Sequence, residues 1–246
     1  MFFIVLRRIL LHDSDQIYTN PMLTYLSDNS DVLINAAWRT VQLALLTFFF
    51  GLIVGMFLVI CKVSPLRPAR SFAGFITKAM VNTPVAFLMF FGFYGIPKLG
   101  VLVSGFATAV VMMSIYNGAY ISEALRAGIN TVPNGQAEAA RAIGLTFGQT
   151  VRHVVLPQAF RSSFGPLGFL LNANFRNVAV AGAIGVGELV KTQRVLGEGI
   201  NPATGENLAY AKPFPFSMAA FAFYLVIGLS LGAIATRLDK KLAVKR

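Results

Sequence analysis

Residues 138–157 open with Glu138-Ala139-Ala140, turn at Gly144 and close with Val154-Val155-Leu156-Pro157, a polar stretch between hydrophobic segments. A run carrying Glu138, Arg141, Arg152 and His153 cannot cross a bilayer. Its helical grammar is nonetheless too good for a loose loop. Asn134 is placed to cap a short helix through Ala137-Glu138-Ala139-Ala140-Arg141-Ala142-Ile143, and Gly144 supplies the left-handed residue that ends it. Thr146 starts a second helix with Gln149 as its capping-box partner, and Pro157 marks that helix's end. Two short helices broken at a glycine make a rigid knob on one face of a membrane, which is the form of a docking surface.

The rest of the chain supplies the membrane. Hydrophobic residues make up 56% and charged residues 13% of the 246, which excludes a soluble domain. Charge-free apolar runs of about 20 residues, the length that crosses a hydrocarbon core, predict five helices. The clearest are Val41 to Cys61 and Phe214 to Thr236. Between them lie 79–97, 99–122 and a weaker span over 163–187. Pro84 and Gly165-Pro166 predict kinks in the second and fourth spans. Gly51 and Gly55, and Gly228 and Gly232, permit close helix approach. The fold class is therefore all-α integral membrane, with an extracytoplasmic segment 1–32 ahead of a transmembrane domain 33–246.

Orientation follows from Lys and Arg in the connections. Thirteen fall on the side of the knob and seven on the other, with Arg176 inside a span. The richer side is expected to be cytoplasmic, which puts the N-terminus outside and the loop 126–161 and the C-terminal tail inside. Met1 to Leu11 is too short to span and lacks a cleavage pattern, so it reads as an interfacial anchor. The polar stretch 188–213 is then an outside loop, open to two readings: contact with a soluble binding protein, or a simple connector. The single Cys61 excludes an internal disulfide.

No Gly-x4-Gly-Lys-Ser/Thr loop cradles a phosphate, so this chain is not expected to hydrolyse ATP itself. His12 and His153 lie far apart, and no Cys/His cluster suggests a metal. No enzyme reading has residues to stand on.

The spacing Glu138-Ala139-Ala140-x3-Gly144-x9-Val154-x-Leu156-Pro157 resembles the EAA signature of the membrane-spanning permease subunits of ATP-binding-cassette importers, with valine at the usual isoleucine position. The blocks Ala119 to Ile129, Leu156 to Arg161, Asn82-Thr83-Pro84 and Phe91 to Pro97 resemble the branch carrying polar amino acids. The pattern before and through the knob is most similar to glutamate-importer permeases of actinobacteria. The resemblance, from about residue 33 onward, implies a type I (MetI-like) permease fold in a bacterial plasma membrane. It also implies a second permease subunit, two cytoplasmic ATPase subunits that bind ATP and Mg, and an extracytoplasmic binding protein. The knob would insert into the ATPase: Glu138 meeting partner groups, Ala139 and Ala140 allowing close approach, Gly144 hinging, and Leu156 and Pro157 completing the motif.

Arg176 interrupts the fourth span. A charge at membrane depth costs a few kcal/mol and so faces a bundle interior or a watery path. A guanidinium also grips a carboxylate with two parallel bonds. Asn172, Asn174 and Asn177 are candidates to join it, with Asn82 and Thr83 at a bend in the second span that moves during gating. Alternatively, Arg176 pairs with carbonyls freed near Pro166, with Asn117, or with its counterpart across a subunit interface. Where the family has Lys-Asp/Asn-Thr-Ser, this chain reads Arg176-Asn177-Val178-Ala179, so the basic position and the Asn are kept and the hydroxyls are not. Glu123 and Arg126, three apart, are expected to form a structural ion pair. Two rivals stand beside the importer reading: a transporter or channel working alone, and a non-transporting docking scaffold. The first needs acids within the membrane, and all ten are expected in loops or at span ends.

Overall fold

A computed structural model describes residues 21–208 and 213–242. The proposed anchor Met1 to Leu11, Lys212 and the last four residues lie outside them. Among the described residues ten α-helices follow in chain order: α1 (Pro21–Asp28), α2 (Ser30–Val63), α3 (Arg67–Val81), α4 (Val85–Phe90), α5 (Gly105–Asn130), α6 (Asn134–Ala142), α7 (Phe147–Thr150), α8 (Leu156–Asn177), α9 (Leu189–Gly197) and α10 (Pro213–Leu242). A wide turn continues α4 over Phe91–Gly95, another joins α7 to α8, and a tight 3₁₀ run, Val178–Ile184, extends α8.

The expected spans survive unevenly. α2 and α10 are each long and apolar enough to cross a membrane, and the bent pairs 67–99 and 147–197 raise the number to four if each pair is one span. The span placed at 79–97 straddles a break: across Asn82-Thr83-Pro84 the chain turns through 103°, and Pro84 caps the start of a second helix instead of kinking a continuous one. The span placed at 99–122 begins six residues late. Gly100 takes φ +83°, and Ser104 caps α5 by accepting the Ala107 N–H at 3.2 Å. At 26 residues, about 39 Å, α5 is long enough to cross. It is less apolar than α2 because Thr108, Ser114, Asn117 and Ser122 occupy its buried face.

That face explains the architecture. α5 runs beside α2 in the same direction, glycine against side chain. A Cβ on Gly51 would lie 2.9 Å from the Asn117 Cβ, and one on Gly55 would lie 2.8 Å from the Ile121 Cβ and 3.0 Å from the Gly118 carbonyl. α8 returns antiparallel, its Ser163 Oγ 3.3 Å from the Ala124 carbonyl and its Asn174 level with Asn117. α10 lies antiparallel to α8, with Ala235 against Gly168 and Gly228 beside Asn172. The end of α5, the knob and the end of α10 therefore share one side. Leu43, Met89, Met113, Phe175, Val178 and Phe223 fill the core between α2, α4, α5, α8 and α10.

Candidate functional site

The knob is built as two capped pieces around one left-handed residue. α6 starts at Asn134 with Pro133 in the capping position, one residue earlier than the cap expected from the sequence. Gly144 has φ +96°. Its N–H reaches the Arg141 carbonyl at 3.0 Å and the Leu145 N–H reaches Ala140 at 3.1 Å, which closes the helix end. Thr146 Oγ1 accepts the Gln149 N–H, and Gln149 Oε1 accepts the Thr146 N–H at 2.9 Å, the reciprocal box the sequence predicts. Pro157 does not end this second helix. It sits in the first turn of α8, where its missing N–H is harmless, and Leu156 is part-exposed beside it.

The knob's surface differs from expectation at one alanine. Glu138, Ala139 and Arg141 are exposed, whereas Ala140 is buried against the rest of the chain, so it shapes the knob from within. Two residues that sequence reasoning missed stand out at the tip: Ile143, 80% exposed, and Phe147, 58% exposed, flank Gly144. Large apolar groups at an exposed tip mark a contact surface. Their signal in the sequence was an apolar residue on either side of a polar helix break.

The knob is tied to the start of α8. Gln158 Nε2 donates to Gln136 Oε1 of α6, and Thr131 Oγ1, just past α5, donates to Ser162 Oγ at 3.0 Å. From Leu156, α8 then runs 22 residues to Asn177, about 33 Å, so the knob and Arg176 occupy opposite ends of one helix.

At that far end the four expected polar residues divide. Asn174 is fully enclosed and belongs to the core: its Nδ2 donates to the Ala44 carbonyl at 2.8 Å, and its Oδ1 accepts from Asn117 Nδ2 at 2.6 Å and Thr47 Oγ1 at 3.1 Å. Its amide welds α2, α5 and α8, which corrects the expectation that it lines a path. Asn172 turns the other way, donating to the Gly228 carbonyl at 3.1 Å, with Gly232 also facing its amide. Gly228 and Gly232 thus make room for a polar cross-link. Asn177 is half-buried, and Arg176 is exposed, its Nε 3.5 Å from the Asn172 carbonyl. Among the described residues no carboxylate pairs with it. Asn82 and Thr83 bond the Lys78 and Ala79 carbonyls of their own helix, each at 2.7 Å, and so hold the end of α3 at the break.

A charged belt closes the knob side. Glu123 accepts from Arg126 at 3.0 Å, the expected pair, and Lys62 Nζ of α2 joins it at 2.8 Å while also reaching Ser122 Oγ at 2.7 Å. Asn117, whose amide meets Asn174, lies six residues from Glu123, about 9 Å of helix, so Arg176 stands well away from the charged belt. On the other side, the expected outside loop is partly structured. Glu188 is fully buried and caps α9, accepting from the Val190 and Lys191 N–H groups at 2.8 and 2.7 Å, and from the Tyr224 hydroxyl. Thr40 Oγ1 accepts the Leu189 N–H at 3.0 Å. Glu188 thus lies at the start of the expected outside loop, as a packed cap.

Residues 40–244 match the family described as binding-protein-dependent transport system inner membrane component. The chain belongs to that family. It is 33% identical over 237 residues to the glutamate transport system permease protein GluC of Corynebacterium glutamicum, covering 92% of this chain and all of that one. It is 32% identical to the L-cystine transport system permease protein TcyB of Bacillus subtilis, covering 86% and 88%. Its fold superposes with a TM-score of 0.79 on a solved amino acid ABC transporter crystallised with histidines, at 23% identity over 92% of this chain and all of that one. As a permease component of this family, the chain is an all-helical, multi-pass inner-membrane protein of the type I importer fold. Membership implies ATPase and binding-protein partners, and the knob matches the family's signature in spacing.

Proposed function

We propose that this permease forms half of a translocation path for a polar amino acid, driven through its knob by a separate ATPase. One observation carries the reading: a single helix, α8, is pinned to the knob at one end and bears at the other an exposed Arg176 that meets no carboxylate among the described residues; the family's membrane placement sets it at membrane depth. An exposed guanidinium at that depth is intolerable against lipid, so it faces water in a path completed by a second permease subunit, identical or paralogous. There it meets the α-carboxylate that every amino-acid cargo carries, with Asn177 beside it. The relatives named for glutamate and cystine support an amino-acid cargo, and the 33% identity to the glutamate permease favours glutamate.

The partners then follow the family's division of labour. Two ATPase subunits on the Lys- and Arg-rich, cytoplasmic side bind ATP and Mg. Their closure pulls on Glu138, Ala139, Ile143 and Phe147, and α8 carries the movement to Arg176. An extracytoplasmic binding protein delivers cargo on the side of α9, so the N-terminus is outside and the C-terminus inside.

The test is uptake by the complex reconstituted in liposomes with its ATPase and binding protein. Uptake should require both ATP and the binding protein. Arg176→Leu should lower uptake at least tenfold, consistent with loss of a bidentate carboxylate contact of about 1.5–3 kcal/mol, and Arg176→Lys should restore part of it. Uptake by the chain alone, or unchanged affinity and rate in Arg176→Leu, would sink the reading.

A further inference from the structure

α3 lies across the bundle, not along it. The segment 85–99 follows α5: Met89 packs in the core with Met113, and a Cβ on Gly92 would meet Met112 and Thr108. Against that segment α3 is turned by 103°, so its axis is close to perpendicular to the membrane-crossing helices. Its depth is also fixed. Thr77 Oγ1 lies 3.4 Å from Ser122 Oγ, the same hydroxyl that Lys62 reaches, and the Tyr120 hydroxyl donates to the Val81 carbonyl at 3.1 Å. α3 therefore sits in the plane of the Lys62–Glu123–Arg126 belt, where hydrocarbon gives way to headgroups.

The sequence of α3 suits that position. Ala73 and Thr77 form its inner face. At 100° per residue the outer circumference divides in two. Phe72, Phe75 and Ala79 make one flank, and Arg67, Ser71 and Lys78 make the other. Phe75 is 70% exposed, and Leu66, just ahead of the helix, is 65% exposed. Arg70 is occupied at the turn, donating to the Ser64 and Pro65 carbonyls. Among the described residues no carboxylate pairs with Arg67 or Lys78. A phenylalanine flank beside a basic flank, lying in the interface plane, is the pattern of a helix seated at the headgroup–acyl boundary.

We propose that α3 is an interfacial helix that docks on anionic phospholipid of the leaflet on the knob side, with Phe72 and Phe75 among the acyl chains and Arg67 and Lys78 on headgroup phosphates. This anchors the near side of the Asn82–Pro84 break to the membrane surface. It rests on the family's membrane placement and is independent of the cargo.

The complete complex with its ATPase, in nanodiscs of phosphatidylglycerol and phosphatidylcholine, provides the test. In a Cys61→Ser background, a nitroxide at Phe75→Cys should be relaxed by oxygen, which partitions into lipid, and one at Ser71→Cys by a water-soluble nickel chelate. Each basic residue near an anionic surface is worth about fivefold in lipid affinity. Phosphatidylglycerol retained by the complex, counted by native mass spectrometry, should therefore fall about 30-fold in the Arg67→Gln/Lys78→Gln variant. It should persist in Arg67→Lys/Lys78→Arg, which keeps both charges. A label at residue 75 shielded from both reagents would show a protein partner covering this flank and overturn the proposal, as would unchanged lipid retention in the neutralised variant. ATP-driven uptake by the unaltered complex reports on the permease role separately.

Discussion

Lys62 is nearly enclosed, with 8% of its side chain exposed, whereas its partner Glu123 remains 42% exposed. The two ends of this pair are therefore unequal. Glu123→Gln leaves an enclosed ammonium with only Ser122 Oγ and an amide for company, and desolvated charge without a counter-ion is destabilising. Lys62→Met removes the enclosed charge, and its carbon chain still fills the same slot beside a Glu123 that keeps Arg126 and water. Discounting for the exposure of Glu123, Glu123→Gln should reduce stability by roughly 1–2 kcal/mol and Lys62→Met by less than about 1 kcal/mol. Thermal unfolding of the two variants in the same detergent measures the order, and a larger loss for Lys62→Met would overturn this account of the belt. Sequence showed half of this cluster. Glu123 and Arg126 are three apart on one helix and so predictable, but Lys62 arrives from 61 residues away, and only the packing of α2 on α5 brings it in.

That packing is set by glycines, which are easily dismissed in a membrane chain where small residues are common. A Cβ on Gly118 would lie 2.7 Å from the Val54 Cβ, and Gly55 has Ile121 equally close. The two helices approach this closely because each sets a glycine against a side chain of the other. Gly55→Val should thus force α2 from α5, strain the Asn174 amide bonds to Ala44 and Thr47, and destabilise by about 1–3 kcal/mol as overpacking does. Gly74→Ala, with nothing within 4 Å of the added Cβ, should be nearly neutral. Equal unfolding temperatures for the two variants would contradict the close contact. Elements were legible in proportion to their contact with lipid. α2 and α10 meet hydrocarbon along much of their length, and their unbroken apolar runs announced them. α5 faces protein, so its polar residues diluted the run and moved its apparent start. The 103° turn after α3 was readable only as a proline; a bend of that size is decided by what α3 lies against. Likewise Asn174 and Arg176 looked alike in sequence, two polar residues two places apart, and the helix sends one into the core and the other out.

Across the whole molecule, the parts with local rules were the readable ones. The knob's glycine and capping box obey grammar spanning a few residues, so the Gly144 turn and the Thr146–Gln149 box are legible in sequence without their surroundings. The coupling role proposed for it depends on that geometry holding under load. Gly144→Asp tests this without crowding anything, since an added Cβ there meets nothing within 4 Å. The direct penalties are backbone, since φ +96° costs an L-residue about 1–2 kcal/mol, and a carboxylate at the C-terminal end of α6, losses the 246-residue chain can absorb while the α6–α7 angle relaxes. Relaxation would move Ile143 and Phe147 away from each other, and these exposed apolar residues are the anchors the proposed docking relies on. Phe147→Ala removes one anchor without touching the backbone and should weaken ATPase docking by about 1–2 kcal/mol, or five- to thirtyfold. Both variants should insert, fold and retain the Asn174 knot, yet lose most ATP-driven uptake in the reconstituted complex. Gly148→Ala is the matched control: it lies in α7 with ordinary φ and open space around it, so its uptake should equal that of the unaltered chain. Normal uptake by Gly144→Asp would mean that the left-handed turn is dispensable and that force reaches α8 by another route, with Gln158 and Ser162 the contacts to probe next.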